Sequence, residues 1–583
     1  MKSFLKYLLA AILGTFLALV ALFFVITGTL KSSFKSFVTE DGRIKENSVL
    51  VIDLAQNITD RPGTGPNFTF TGDLRRGAGL PDILDAIKRA ESDERIRGAL
   101  IKVSYSSPRL AMLSEIRSAL VSFRESGKFI IAYGDYYGQR AYYLASLSDE
   151  IYLNPAGLFE LRGFAARAMF FKDALRKLGI EMQVFYAGKY KSATEPFRLD
   201  KMSPENREQL RAYIESIYGH FIETIAHDRA MTSASVDSIA RNLSVRTPQQ
   251  ALDNHLVDGI MYYDQVLDVL RGKLGQQGSD KVQQVSVARY LDEVGSKKGP
   301  KDQVIAVLYA DGEIVDGSAS EGRVGGESYA RELRKLREDD KVKAIVLRIN
   351  SPGGSALASE LIWREAVMAA ESKPLIVSMG PLAASGGYFI AAPAHTIVAQ
   401  PNSLTGSIGV FLIWPNLKEL TESKLGVRYD TVTIGRFADM GNPFRAVNEE
   451  EASILQAEVD RTYTDFILKV AEGRGMDTSA VGVIAQGHIW SGLQAMEIGL
   501  VDTLGGLNDA IAIAATRAGL TTYSVKAYPE PEGPFEKFRR IIGAEAYLPE
   551  WLPAEWLDYV DELQVIATQR GMMARMMWDF ELR

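Results

Sequence analysis

Cysteine is absent from the 583 residues of this chain, and histidine is scarce. The absence of cysteine excludes thiol nucleophiles, disulfides and thiolate metal sites. Histidine is the usual base for a serine nucleophile, so few candidates exist for a Ser-His-Asp triad. The five histidines are His220, His227, His255, His395 and His488. No two of them stand at i and i+4, the spacing at which a helix presents two metal ligands, and a metal site is therefore not expected.

An excess of positive charge is also missing. The chain has 66 Lys and Arg residues against 73 Asp and Glu residues, which gives a formal net charge of -7. Proteins that bind nucleic acid usually carry a basic footprint, so we expect no nucleic-acid partner. A hydrophobic fraction of 46% and a charged fraction of 24% are typical of globular domains.

One long apolar run stands near the N-terminus. Residues Tyr7 to Leu30 are uncharged and largely apolar. At about 1.5 Å per residue they would extend about 36 Å as a helix, enough to cross a bilayer core of about 30 Å. The alternative is a cleaved signal peptide, but its apolar core is usually only roughly 7 to 15 residues long and needs a small-residue cleavage site. We therefore expect one uncleaved transmembrane helix.

The rest of the chain contains an internal duplication. Pairs of identical residues recur at nearly constant offsets of 246 and 244 positions, which indicates two copies of one domain. The pairs include Gly134 with Gly380, Tyr142 with Tyr388, Pro155 with Pro401, and Leu256-Val257-Asp258 with Leu500-Val501-Asp502. In each copy, short β-rich runs alternate with helical patterns, as in βαβ crossovers. The predicted fold class is α/β, with a buried sheet and helices outside it in each copy.

The duplication predicts five segments. They are an anchor and connector at 1–46, a first repeat at 47–271, a linker at 272–302, a second repeat at 303–525 and a C-terminal tail at 526–583. The tail has Pro-, Trp- and Met-bearing stretches in which we find no chemical motif. Covering of the core or contact between subunits is the expected role of this tail.

The two copies differ at residues that could carry chemistry. Ser385 in the second copy corresponds to Gln139 in the first, and Lys191 in the first copy corresponds to Ala438 in the second. Each repeat therefore holds what the other lacks. A lysine acts as a base only when it is neutral, which requires burial or nearby positive charge to lower its pKa. The alternative for Lys191 is a solvated surface lysine, and a histidine triad with His395 or His488 also stays open.

The surroundings of Ser385 favour a nucleophile. We expect a strand ending near Gly380 and a helix beginning near Gly386, with the Ser385 hydroxyl exposed at the turn and the Gly386 N–H free to donate. A glycine turn at Gly353-Gly354 offers a second amide for an oxyanion. The first copy has Pro108 in this region, and proline has no N–H to donate. The alternative for Ser385 is a small residue that allows a helix to pack closely on a strand.

Four motifs together resemble the signal peptide peptidase A family in its long form with two repeats. They are Asn350-Ser351-Pro352-Gly353-Gly354, Ala383-Ala384-Ser385-Gly386-Gly387-Tyr388, Leu404-Thr405-Gly406-Ser407-Ile408-Gly409 and Tyr190-Lys191-Ser192-Ala193. The resemblance implies a Clp-protease and crotonase-like fold in each repeat. It also implies a Ser-Lys dyad in which Ser385 is the nucleophile, Lys191 the general base, Gly354 an oxyanion donor and Ser407 the residue that orients the lysine.

The same resemblance implies a function and a location. The expected activity is that of a serine endopeptidase that degrades hydrophobic signal peptides after their release into the membrane, without a cofactor or a metal. The expected location is the inner membrane, with the catalytic domains on the periplasmic side and a homotetramer as the assembly. A crotonase-like acyl-CoA hydrolase or isomerase is the alternative enzyme, because that fold also holds an oxyanion with paired amides. A catalytically silent membrane scaffold is the alternative outside enzymes.

Overall fold

The computed structural model describes residues 43–55, 58–63, 66–68, 74–76, 78–104, 108–276, 280–295, 299–318, 322–530 and 571–576. The predicted transmembrane helix at Tyr7 to Leu30 lies outside these residues and stays a prediction. Within the described ranges, no helix combines the length and the apolar character needed to cross a bilayer.

The first repeat alternates strands and helices, as the sequence predicts. Its strands are β1 (Ser48–Asp53), β2 (Pro66–Phe68), β3 (Leu74–Arg76), β4 (Ile96–Val103), β5 (Phe129–Tyr137), β6 (Glu150–Phe159), β7 (Glu181–Ala187), β8 (Gly259–Ile260) and β9 (Gln283–Ser286). Its helices are α1 (Leu80–Ala90), α2 (Leu110–Glu125), α3 (Gln139–Ala145), α4 (Lys172–Leu178), α5 (Glu195–Arg198), α6 (Pro204–Asp228), α7 (Ser233–Arg241), α8 (Pro248–Asp253), α9 (Tyr263–Lys273) and α10 (Val287–Val294). Six of the strands form a parallel sheet in the order β8-β6-β5-β4-β1-β9.

The second repeat follows the same plan. Its strands are β10 (Val304–Asp311), β11 (Glu313–Val315), β12 (Arg323–Gly325), β13 (Val342–Ser351), β14 (Gly353–Ser355), β15 (Leu375–Ala384), β16 (Thr396–Ala399), β17 (Leu404–Gly406), β18 (Val410–Asn416), β19 (Ile489–Ser491), β20 (Thr503–Leu504) and β21 (Ser524–Tyr528), and β22 (Met573–Arg575) follows in the tail. Its helices are α11 (Gly326–Glu338), α12 (Ala356–Ser372), α13 (Gly386–Ala391), α14 (Glu449–Arg474), α15 (Thr478–Ile484), α16 (Gly492–Glu497) and α17 (Leu507–Arg517).

The strand orders of the two repeats match position by position. In the second repeat, the parallel strands run β20-β16-β15-β13-β10-β21, which reproduces the order of the first sheet. Side-chain bonds repeat as well: the Tyr142 hydroxyl donates to the Leu256 carbonyl (2.6 Å) and the Tyr388 hydroxyl to the Leu500 carbonyl (2.9 Å). The tandem α/β architecture expected from the duplication is therefore present in the structure.

The segment predicted as a linker, 272–302, is more than a connector. It contains β9 and α10, and β9 pairs in parallel with β1 as the edge strand of the first sheet. Its equivalent, β21, pairs with β10 and ends at Tyr528, beyond the expected start of the tail. Glycine-rich stretches that are typical of loops flank β9 in the sequence. Because β9 pairs with residues that are distant in the sequence, local composition does not predict it as a strand. The exact segment boundaries stay predictions.

A third sheet joins the two repeats. Its strands lie in the order β12-β11-β14-β22-β18-β7. Strand β7 belongs to the first repeat and pairs antiparallel with β18 of the second along its whole length, from Glu181 opposite Asn416 to Ala187 opposite Val410. The chain is therefore already paired with the second repeat when it leaves β7, shortly before Lys191.

A buried ion cluster also connects the repeats. Arg348 on β13 is fully buried, and its Nη2 lies 2.6 Å from Asp60 Oδ1 and 2.6 Å from Glu115 Oε1, both of the first repeat. Glu115 Oε2 in turn accepts a hydrogen bond from Leu507 N (2.7 Å) in the second repeat. Because unpaired buried charges are costly, this cluster holds the repeats in one relative position.

Candidate active site

Ser385 occupies the turn between β15 and α13. Its backbone has φ 55° and ψ -114°, a conformation that non-glycine residues rarely adopt. The Ser385 N–H donates to the Gly406 carbonyl (2.8 Å), and the Ser385 carbonyl accepts from Phe389 N (2.8 Å). These bonds fix a sharp strand-to-helix turn, the geometry that places a nucleophilic hydroxyl at the edge of an α/β sheet. The prediction that this hydroxyl is exposed is wrong: Ser385 is fully buried, because Lys191 packs against it.

The strand before Ser385 runs farther than the sequence predicts. The expectation that it ends near Gly380 is wrong, since β15 continues to Ala384. The physical reason is a second set of pairings: Leu382, Ala383 and Ala384 lie opposite residues of β17, and Ala383 still pairs with Ser351 at the end of β13. The helix begins at Gly386, as predicted.

Lys191 lies directly against Ser385. Its side chain is 1% exposed, and its Nζ is 2.8 Å from Ser385 Oγ, 3.1 Å from Ser407 Oγ and 3.0 Å from the Ser407 carbonyl oxygen. The two residues come from different repeats but meet within one chain. Gly487 packs against the lysine backbone, where a Cβ would lie 2.6 Å from Lys191 Cα.

Burial governs the protonation of this lysine. Loss of hydration lowers the pKa of Lys191 well below its usual value, because the charged ammonium is disfavoured away from water. The three oxygens near Nζ belong to neutral groups, two hydroxyls and one carbonyl. No carboxylate among the described residues contributes to the shift. A neutral amine beside a serine hydroxyl is the arrangement of a base and a nucleophile.

Ser407 completes the group around the amine. Its φ is 52°, and its N–H donates to the His488 carbonyl (2.7 Å), so its backbone is held in an uncommon conformation. Both its hydroxyl and its carbonyl lie within hydrogen-bond distance of Lys191 Nζ. Two contacts from one residue restrict the directions in which the amine points. The structure thus brings Ser385, Lys191 and Ser407 together.

The two backbone segments that contain the predicted oxyanion donors, Gly354 and Gly386, lie next to each other. A Cβ on Gly353 would lie 2.5 Å from Gly386 N, so the glycine turn that contains Gly354 packs against the start of α13. Gly353 has φ +90°, a conformation that favours glycine. Side chains are excluded here, and a carbonyl group can approach both backbone segments closely.

The two histidines of the alternative triad form hydrogen bonds with groups other than Ser385. His395 Nδ1 accepts from Leu375 N (3.2 Å). His488 Nδ1 lies 2.7 Å from the Ile489 carbonyl oxygen, and its ring stacks on Trp490 at 3.9 Å between centroids. Neither bond involves Ser385, whose neighbouring base is Lys191.

Sequence analysis missed Gln209, a residue on α6 that supports the lysine segment. Its Nε2 donates to the Tyr190 carbonyl (2.9 Å) and to Ser192 Oγ (3.1 Å), and its Oε1 accepts from Ile489 N (3.1 Å). Gln209 therefore ties the residues on both sides of Lys191 to β19 of the other repeat. A single glutamine within a helical pattern gives no signal of this role.

Comparison with known proteins identifies the family of this chain. The family described as Peptidase family S49 matches residues 122–277 and 368–521, and the family described as Clp protease matches residues 297–405. Protease 4 of Salmonella typhi is 37% identical over 501 residues, which cover 82% of this chain and 80% of that protein. The chloroplastic serine protease SPPA of Arabidopsis thaliana is 34% identical over 489 residues, 82% of this chain and 70% of that protein.

A shorter relative matches part of the chain. A protein of Enterococcus faecium, named provisionally as a signal peptide peptidase SppA, is 37% identical over 245 residues, which cover 41% of this chain and 70% of that protein. The S49 match falls on both repeats, and the long relatives align across most of the chain. This chain belongs to peptidase family S49 and is a serine protease.

Proposed function

We propose that the chain is a membrane-anchored serine protease that degrades signal peptides with a Ser-Lys dyad. The observation that carries the proposal is the distance of 2.8 Å between Lys191 Nζ and Ser385 Oγ, both of which belong to buried residues. Family membership fixes the reaction class, and this contact supports the assignment of the two roles.

The geometry leads to a simple mechanism. Neutral Lys191 takes the proton of Ser385 Oγ as the hydroxyl attacks the peptide carbonyl carbon. The amides of Gly354 and Gly386 donate to the developing oxyanion, and each such donor is worth roughly 3 kcal/mol of transition-state stabilisation. The protonated lysine is held by both oxygens of Ser407 and passes its proton to the leaving amine. Water then hydrolyses the acyl-enzyme with the same base.

An apolar cluster near the dyad supports an apolar peptide as the substrate. Ala193, Phe197 and Phe411 form a buried cluster next to the joining sheet, on the side where Lys191 enters. Apolar side chains of this kind suit an extended apolar segment, and signal peptides have such a segment. The name of the Enterococcus relative points to the same substrate class.

Labelling with a serine-reactive fluorophosphonate tests the catalytic roles. The probe should modify Ser385 in the wild-type protein, and Ser385→Ala should abolish both labelling and cleavage of a synthetic signal peptide while the circular dichroism spectrum stays unchanged. The matched control is Ser372→Ala, an exposed position at the end of α12, which should keep full labelling. Peptide cleavage at the wild-type rate by Ser385→Ala would refute the nucleophile assignment.

The proposed location and assembly need separate tests. Reporter fusions placed after residue 40 should be active on the periplasmic side of the inner membrane and not in the cytoplasm, because Tyr7 to Leu30 is long enough to span the bilayer. Sedimentation of the detergent-solubilised protein should give the mass of a homotetramer. A soluble mature form that starts near residue 30 would contradict the anchor.

A further inference from the structure

A short strand of the C-terminal tail lies in the joining sheet. Strand β22 pairs antiparallel with β14, the strand that contains Gly354, and on its other side contacts β18 through Met573 opposite Phe411. It thus lies between the strand of the oxyanion glycines and the strand that follows Ser407. Within the described residues, β22 is the link between these two strands of the sheet.

The register places one tail carbonyl at the site. Ala574 lies opposite Gly354, and the flanking bonds run from Ala356 N to the Met572 carbonyl (2.9 Å) and from Met576 N to the Pro352 carbonyl (2.7 Å). In an antiparallel ladder, hydrogen-bonded pairs alternate, so Gly354 and Ala574 are the bonded pair between these two. The Gly354 N–H therefore points at the Ala574 carbonyl oxygen.

The second oxyanion donor is close to the same oxygen. A Cβ on Gly386 would lie 2.9 Å from the Ala574 carbonyl oxygen, and a Cβ on Gly353 would lie 2.2 Å from it. Only a backbone without side chains leaves room for this oxygen. The Ala574 carbonyl oxygen thus lies beside Gly354 and Gly386, the two residues whose amides the mechanism assigns to the oxyanion.

The tail side chains fill distinct positions in the groove. Met573 is 8% exposed and packs in the apolar cluster of Ala193, Phe197 and Phe411. Arg575 is 7% exposed, and its Nη1 lies 3.3 Å from Oε1 of Glu313, which is 8% exposed. Burial raises the pKa of Glu313, and the charge of Arg575 opposes that rise. Glu313 is therefore a buried carboxylate that is paired with an arginine of the tail, while Arg323 adds a second positive charge nearby.

We propose that Gly571–Met576 occupies the protease's own peptide-binding groove as a substrate-like strand and competes with peptide substrates. The proposal rests on the proposed function, because it takes Gly354 and Gly386 as the oxyanion donors. In this position Ala574 contributes the acyl carbonyl, Met573 fills the apolar subsite before it, and Glu313 binds a basic side chain directly after it. Strand addition to an open sheet edge is a common way to bind a peptide, since main-chain bonds give affinity and side-chain pockets give specificity.

The tether explains why such a short strand competes well. Attachment within one chain gives a segment a millimolar effective concentration, so a weakly bound strand still occupies the groove for much of the time. The strand's short ladder and the single ion pair of Arg575 leave it displaceable by a longer substrate. Full-length protein should therefore be partly latent.

Charge reversal in the full-length protein tests the proposal. Arg575→Glu places a second carboxylate beside Glu313 and should expel the strand, so the rate of fluorophosphonate labelling of Ser385 should rise at least about tenfold. Met573→Asp, which puts a charge into the apolar cluster, should have the same effect. Glu313→Arg combined with Arg575→Glu should return labelling toward the slow wild-type rate. Arg241→Glu, an exposed change on α7, is the control and should leave the rate unchanged.

A peptide added in trans gives an independent readout. Gly-Met-Met-Ala-Arg-Met, the sequence of residues 571–576, should slow labelling of the Met573→Asp variant, whereas the same peptide with Glu in place of Arg should not. Labelling of Arg575→Glu and Met573→Asp at the wild-type rate, in variants that melt as the wild type does, would overturn the proposal and leave the proposed function intact. Failure of Ser385 to react in the wild type and in every variant would instead remove the proposed function itself.

Discussion

At the residue scale, the proposed dyad depends on one lysine whose pKa is lowered by burial. Lys191 is surrounded by neutral oxygens, and its low pKa has burial as its cause. A buried amine with a carboxylate partner would hold its proton more tightly and would be a poor base at neutral pH. The surroundings of Lys191 thus decide its chemistry.

Removal of either member of the dyad should have nearly the same effect. Lys191→Ala should lower kcat by roughly as much as Ser385→Ala, and the double variant should be hardly worse, because residues that act as a unit are strongly non-additive. Lys189→Ala is the matched control: its amine lies over the Tyr190 ring rather than at the serine, and its activity should stay close to that of the wild type. Steady-state peptide hydrolysis measures all four. Loss of activity in His488→Ala with retention in Lys191→Ala would contradict the dyad.

The pH profile should report the lysine. Lys191 is active only without its proton, so the rate of acylation should rise with pH through the lowered pKa and reach its plateau well below about 10.4, the ordinary value for lysine. Pre-steady-state acylation by an ester substrate between pH 5 and about 10 measures this. A rate that climbs only near the ordinary lysine pKa would show that the amine is solvated in solution.

At the element scale, β7 and β18 carry the lysine to the serine. Seven consecutive residue pairs join these strands, and the turn that follows β7 packs Lys191 against Gly409 and Gly487. The position of Lys191 is therefore set by backbone pairing between the repeats rather than by its neighbours in sequence. Such a turn tolerates little change in the residues that it touches.

Gly487→Ala should damage catalysis without unfolding the protein. Its φ is +79°, and a Cβ would lie 2.6 Å from both Lys191 N and Lys191 Cα, so the lysine backbone must shift. Misplacement by about 1 Å in an active site costs on the order of 100-fold in rate. Gly482→Ala on α15 is the matched control, since a Cβ there meets no atom within 4 Å. Equal kcat values for the two variants would show that Gly487 does not position the lysine.

The sequence predicts individual residues better than it predicts pairings. Comparison of the two copies singles out Ser385 and Lys191, because each is replaced in the other copy. Nothing local reveals that β22 enters the sheet beside Gly354, since Met573–Arg575 is short and its partners on β14 and β18 are distant in the sequence. The sequence does not predict edge strand β9 for the same reason, since its partner β1 is also distant in the sequence. The pairing of strands that are distant in the sequence depends on the folded topology, and periodicity and composition do not predict that topology.

At the scale of the whole molecule, the duplication explains why the repeats must hold a fixed relation. The first repeat supplies Lys191 and the second supplies Ser385, so a displacement between the repeats changes the distance between the proposed base and the proposed nucleophile. The first repeat has kept its sheet, while Gln139 stands where the serine would be. If the proposed dyad is correct, the contacts between the repeats are part of the catalytic geometry.

The ion cluster around Arg348 should therefore matter for both stability and activity. Arg348→Met leaves two buried carboxylates, Asp60 and Glu115, without their counter-charge, which costs about 3–5 kcal/mol for a buried pair. We expect a lower midpoint of denaturant unfolding and a reduced kcat. Arg461→Ala, which removes an exposed ion pair, should change stability by less than about 0.5 kcal/mol.

Neutralising Asp60 and Glu115 distinguishes two possible causes of the loss of stability and activity in Arg348→Met: uncompensated charge and lost geometry. If uncompensated charge is responsible, adding Asp60→Asn and Glu115→Gln to Arg348→Met should recover much of the unfolding midpoint, since no buried charge is then left unpaired. If the geometry of the arginine is what holds the repeats together, the triple variant should regain stability but not kcat. Recovery of neither would place the role of Arg348 in packing, because its long side chain is fully buried between the two repeats.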